Sequence, residues 1–134
     1  MSALNARENG IISLTPAADY SDKEGYLVSF TSSTATVTAA AATAPSGVIM
    51  EGNPTTAGYT TEFVTVGLFG MKGTCRMKAT GAITKGARVK QSTDGSIVTD
   101  AGGERYVVGI ALETAASGDL IEVQPFGAPL YYGS

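Results

Sequence analysis

Histidine and tryptophan are both missing from this chain, and cysteine occurs once, at Cys75. Without histidine, the Ser-His-Asp and Cys-His nucleophile arrangements and every histidine-containing metal site are excluded. A single cysteine rules out an intramolecular disulfide. Charge is scarce as well: Asp, Glu, Lys and Arg make up 16% of the residues, against about 25% in a typical globular domain. What charge there is leans acidic, with 9 basic against 12 acidic side chains, a net charge of −3 and a pI near 4.8. A protein that grips nucleic acid through its phosphates carries the opposite balance, so no nucleic-acid partner is expected. No apolar run approaches the ~20 residues of a membrane-spanning helix, and no membrane partner is expected. Met1–Gly10 carries Arg7 and Glu8, and the apolar run Ile11–Leu14 is too short for a signal core, so folding in a cytoplasm is expected. Helix signals are weak too. The Ala-rich stretch 39–44 is broken by Thr43 and bounded by Pro45, and no period of 3.6 crosses it.

What remains is period-two alternation. Tyr26, Val28 and Phe30 alternate with Leu27 and Ser29, and Thr34, Thr36 and Thr38 with Ala35 and Val37. Phe63–Val66 is rich in β-formers, Thr74, Arg76 and Lys78 alternate with Cys75, Met77 and Ala79, and apolar runs follow at Val107–Leu112 and Leu120–Val123. Runs of four to eight residues bounded by Gly, Asn, Asp and Pro are the mark of short strands and turns. The expected core is Val28, Val37, Val48, Val64, Val66, Met77, Val89, Val108, Ile110, Ile121 and Val123.

The chain also repeats itself. Lys23, Gly47 and Glu51 find Lys85, Gly109 and Glu113 at a spacing of 62, and Val64, Val66, Phe69 and Gly70 find Ile121, Val123, Phe126 and Gly127 at a spacing of 57. A duplicated β-unit that cannot bury its apolar face alone accounts for this. The predicted fold is therefore all-β: a small β-sandwich or β-barrel built from a duplicated strand unit, with an extended N-terminal arm. Residues 1–22 form the arm and residues 23–134 a single β domain, its repeats spanning 23–70 and 85–127.

Candidate chemistry is thin. Cys75 shares a face with Met77 and Ala79 and reads as a small core residue. Met77-Lys78 lacks the flanking residues of a biotin-attachment hairpin, and the carboxylates lack the spacing of a calcium loop. Asp94-Gly95 reads as a hairpin turn of type I′. No catalytic residue, metal or cofactor is expected. Charge placement says more. Six of the nine basic residues, Lys72, Arg76, Lys78, Lys85, Arg88 and Lys90, fall in a stretch that holds no acid. Alternation puts Arg76 with Lys78, and Arg88 with Lys90, on the polar faces of their strands. Such a cluster is either a solvated face or a patch that docks on an acidic protein surface or a second copy. Two further segments offer contact residues. The arm presents Ile11, Ile12 and Leu14, able to add a strand to an open sheet edge. The tail presents Leu130, Tyr131 and Tyr132, with tyrosine a residue enriched at interfaces.

Gly81–Val123, "GAITKGARVKQSTDGSIVTDAGGERYVVGIALETAASGDLIEV", resembles the capsid cement, or head-decoration, proteins of tailed bacteriophages. The shared theme is a Lys-Gly-x-x-Val strand, an apolar strand with Gly before Ile or Val, a small-residue turn with Gly-Asp, and an Ile-x-Val strand. "SGVIMEG" and "EFVTVGLFG" resemble its first-half version. The resemblance implies a structural virion protein on the outer surface of the capsid. Its partners would be the major capsid protein and itself, as a homotrimer. The alternative from the residues alone is a carbohydrate- or ligand-binding β-module of an adhesive or receptor-binding protein. A sugar groove usually offers exposed aromatics, and this chain has ten, none of them tryptophan.

Overall fold

The computed structural model describes residues 10–32, 34–38, 43–52, 63–70 and 73–133. Among them every regular element is a strand. In chain order these are β1 (Ile11–Pro16), β2 (Leu27–Thr31), β3 (Thr34–Val37), β4 (Gly47–Glu51), β5 (Val64–Leu68), β6 (Cys75–Lys78), β7 (Arg88–Gln91), β8 (Ile97–Thr99), β9 (Arg105–Ala111) and β10 (Leu120–Tyr132). The first five close a barrel in the order β1-β3-β2-β4-β5, and the last five form a sheet in the order β6-β10-β9-β7-β8. The all-β expectation holds, in its barrel form.

The two halves are the same object built twice. In each, the first strand runs antiparallel to the last, and the strand before the long hairpin lies in the middle. Gly47, Val48 and Ile49 face Leu68, Gly67 and Val66. Their counterparts Gly109, Ile110 and Ala111 face Pro125, Gln124 and Val123 in the same register. Both Gly47 and Gly109 lie so close to the neighbouring strand that a Cβ would strike a backbone carbonyl, that of Gly67 or of Gln124, and the γ-methyl of Val66 or Val123. Turn hydrogen bonds repeat too. Gly25 N–H donates to the Ile49 carbonyl and Gly86 N–H to that of Ala111, each at 2.8 Å. The glycines hold φ of +86° and +92°, a conformation other residues reach only with strain.

Barrel closure extends the repeat beyond the sequence match. In the first half β1 closes against β3 by a parallel pairing that includes Pro16 and Ala35. In the second half, the ends of the sheet meet at one parallel bridge, Ala79 with Ile97, which are the corresponding residues. Strand β1 is therefore the counterpart of β6. Leu14 faces Val64 as Met77 faces Ile121, and Ile12 faces Val66 as Cys75 faces Val123. The Lys23–Lys85 match is displaced by one position: the turn glycines Gly25 and Gly86 stand 61 apart, so Glu24 aligns with Lys85.

Each barrel has its own apolar core. Leu14, Tyr20, Val28, Ala35, Ile49, Val64 and Val66 fill the first. Met77, Val89, Ile97, Ala111, Ile121 and Val123, in matching positions, fill the second together with Cys75, Ala79, Ile83, Val108 and Ala115. That second cluster also takes in Leu27 and Val48, which point out of the first barrel. Their burial is the seam between the halves. Nine of the eleven expected core residues are buried. Val37 and Ile110 are half-buried: Val37 faces inward beside Val28 and packs at the margin of the first core, whereas Ile110, the counterpart of Val48, lies on the outward face.

Backbone contacts stitch the seam. Leu27 N–H donates to the Gly95 carbonyl (2.7 Å), and Lys78 N–H to that of Gly25 (2.9 Å). The buried Thr38 hydroxyl bonds Gln91 Oε1 (2.7 Å), and Gln91 Nε2 donates to the Thr43 carbonyl (2.6 Å). Gly95 tips the β7–β8 hairpin and packs against Val37. Here the type I′ expectation fails. Asp94 keeps negative φ and only Gly95 is positive. Ser92 N–H bonds the Ser96 carbonyl across the loop, and Asp94 Oδ1 accepts from Ser96 N–H, so the turn closes around a single left-handed glycine.

Candidate docking surfaces

Cys75 belongs to the second core. Burial pushes its thiol up to about 12, so it is a protonated packing residue at neutral pH. A pocket of about 290 Å³ opens beside it at the seam, lined by Glu24, Ile49, Met50, Thr74, Cys75, Arg76 and Glu122. Its carboxylates are engaged or exposed: Glu122 Oε2 accepts from the Thr74 hydroxyl at 2.9 Å. Among the described residues no group of three or more potential ligands is placed to hold a metal ion.

The basic stretch separates in space. Arg76 and Lys78 stand on β6, Arg88 and Lys90 on β7, and β10 and β9 lie between them. At the usual ~4.8 Å per strand that is about 14 Å. Acids intervene: Arg76 lies directly across from Glu122. Lys90 Nζ donates to the Gly102 carbonyl (2.9 Å). Lys85 is exposed in the turn before β7, and Lys72 lies outside the described residues. The arm residues are placed differently from a free strand. Ile11, Ile12 and Leu14 sit in β1, which is paired on one side with β5 and on the other with β3. Leu14 is buried and Ile12 packs against the first core. Strand β1 is thus built into the first barrel: β5 lines it along Ile11–Leu14, and β3 meets its other edge at Thr15 and Pro16.

The tail and Arg88 come together. Strand β10 bulges between Pro125 and Leu130, then pairs again with β9, setting Leu130, Tyr131 and Tyr132 opposite Val107, Tyr106 and Arg105. Arg88 Nη2 donates to the Tyr132 hydroxyl (2.8 Å). Its guanidinium lies 5.5 Å from the centre of the Tyr132 ring, and that of Arg105 lies 4.3 Å from it. The rings of Tyr106 and Tyr131 are tilted against one another, 4.9 Å between centres. Arg105 is fixed in turn by Asp100, its carboxylate bonded to Nε. Burial works to raise the Asp100 carboxyl. The hydrogen bonds from Arg105 and from Gly102 N–H, with the charges of Arg105 and Arg88, outweigh it and hold the group below the ordinary carboxylate value. Leu130 and Tyr131 stay 45% and 50% exposed. Arg105, Tyr106 and Asp100 escaped the sequence reading. The alternation of Arg105-Tyr106 with Tyr131-Tyr132 was the available signal, hidden by the distance between the two segments.

Fold and surface together define an all-β scaffold, a closed five-stranded barrel joined to a matching five-stranded sheet, with Leu130 and Tyr131 exposed along β10. The chain belongs to the phage cement protein family, whose model matches residues 6–124. Membership implies a structural role at the phage capsid. No curated protein matches the chain. The family match ends within β10, so Pro125–Tyr132, with the whole tyrosine tail, lies beyond it.

Proposed function

We propose that this protein binds the outer surface of a tailed-phage capsid and stabilises contacts between major capsid protein subunits, acting as a homo-oligomer, most simply a trimer. The family match over residues 6–124 carries this reading. The architecture supports it. Two barrels locked by a shared apolar cluster make a stiff body, and Leu130 and Tyr131 offer the exposed apolar and aromatic area that interface centres use. Arg76 and Lys78, on a separate strand, add positive charge that speeds encounter with an acidic shell. The test is binding to capsids stripped of the protein. Leu130→Asp with Tyr131→Ala is expected to weaken binding at least tenfold at every salt concentration. Reversing Arg76 and Lys78 to Glu is expected to slow association and flatten its dependence on salt. Wild-type protein that neither binds such capsids nor raises their resistance to heat overturns the reading.

A further inference from the structure

The seam inside the chain has two sides, and the duplication supplies a second copy of each. On the first barrel the receiving side is Gly25 with Leu27 and Val48, paired across β2 and β4. The second barrel presses into it with Leu120 and the end of β6: a Cβ on Gly25 would strike Leu120 Cδ2 and crowd Lys78 N. The counterpart of the receiving side is Gly86 with Arg88 and Ile110, paired in the same way across β7 and β9. A Cβ on Gly86 would meet nothing within 4 Å, Arg88 is exposed and Ile110 half-exposed. The counterpart of Leu120 is Phe63, 57 positions earlier, immediately before β5 as Leu120 opens β10. Phe63 is 60% exposed, the most exposed of the large apolar side chains described.

From this pairing of one filled seam with its two unfilled halves we propose that a second copy of this chain seats its Phe63 on the Gly86–Arg88–Ile110 face. The contact repeats between chains the packing that joins the barrels within one. Each side suits the other chemically. Phe63 is a flat apolar group that is 60% exposed, the open glycine leaves room for a ring, and the Arg88 guanidinium, which already lies near the Tyr132 ring, can lie over an aromatic face. The two surfaces differ and sit on opposite barrels, so the contact is head-to-tail and closes into a ring when the rotation between neighbours allows. This proposal deepens the self-association within the proposed function, yet it is tested without a capsid.

Two single-cysteine additions test it, since Cys75 is buried and does not compete. Phe63→Cys and Arg88→Cys proteins are mixed under mild oxidation and the products mapped by mass spectrometry. A 63–88 disulfide between chains is expected from the mixture and none from either protein alone. In parallel, Phe63→Glu and Ile110→Glu, each on an exposed or half-exposed position, are expected to reduce an oligomeric mass to the 13.6 kDa of one chain with unchanged circular dichroism. A 63–63 disulfide from the Phe63→Cys protein alone shows a two-fold contact and overturns the proposal. So does a wild-type protein that is monomeric by light scattering at several hundred micromolar together with a cysteine-variant mixture that gives no 63–88 product. A monomeric Phe63→Glu that still binds capsids leaves the self-contact standing and separates it from capsid attachment. Oligomeric wild type that fails to bind capsids sinks the capsid reading alone.

Discussion

The two barrels share strand order, register and the placement of nearly every core side chain, yet they treat the same outward face in opposite ways. In the first barrel that face carries Leu27 and Val48, both buried against the partner barrel. In the second it carries Arg88 and Ile110, one exposed and one half-exposed. Inside the barrels the residue types drifted within the limits of volume: Leu14 against Met77, Ile49 against Ala111, Ala35 against Ile97. A small residue in one half answers a larger one in the other, and the core stays filled. Constraint on the inside comes from barrel closure and is common to both halves. Constraint on the outside comes from what each face must meet, and there the halves have parted.

The largest expected effect breaks the symmetry where the halves differ most. Val48→Asp places an uncompensated charge in the closed seam and is expected to cost about 3–5 kcal/mol, a large share of the ~5–15 kcal/mol of a typical domain. Ile110→Asp, at the matching position, is expected to cost the isolated chain about 1 kcal/mol or less. Urea titration of the two variants reads the difference, and equal losses would mean that the second face is also covered. An intermediate effect tests what the halves share. Gly47→Ala and Gly109→Ala each drive a methyl into the backbone of the adjacent strand and are expected to destabilise by similar amounts, about 1–3 kcal/mol. A tolerated substitution at one site only would show that the registers are not equivalent. The smallest effect belongs to one half. Asp100 has a depressed folded carboxyl, so its stabilising contribution is complete above the unfolded value of ~3.9 and is lost as pH falls through the lower folded value. Asp100→Asn is therefore expected to lower the melting temperature slightly at pH 7 and to converge with wild type near pH 2.

Much of this plan could be read from residue order, and what escaped did so for definable reasons. Strand positions were legible because alternation is local, and the repeat because Gly47 and Gly109 answer an identical steric demand. The membership of β1 was not. Its inward residues Ile12, Leu14 and Pro16 share no identity with Cys75, Met77 and Ala79, and its pairing partners lie far along the chain. A polar segment with one short apolar run looked like an arm because its closing role exists only once β3 and β5 are in place. The basic cluster failed in the opposite sense. Neighbours in sequence were set on strands with two others between them, while Arg88, Arg105 and Tyr132 were gathered from three separate segments. The residues of the Arg88–Arg105–Tyr132 cluster were visible as types, and their grouping required the sheet order.

In both halves the opening strand waits for the closing one: Leu14 finds its partner at Val64, and Met77 at Ile121. Non-local pairing of this kind slows folding, because the entropy of closing a long loop is lost before any contact offsets it. Until β5 has been synthesised, β1 has one open edge and no neighbour along it, and the same exposure returns for β6 until β10 arrives. The chain is most prone to stick to other copies during those two intervals. The short strands and the threonine- and serine-rich outer positions of the first half suit that hazard, since they offer little apolar surface for a mistaken partner. Once each ring of strands is joined the hazard ends, and the resulting body has few free edges from which unravelling can begin.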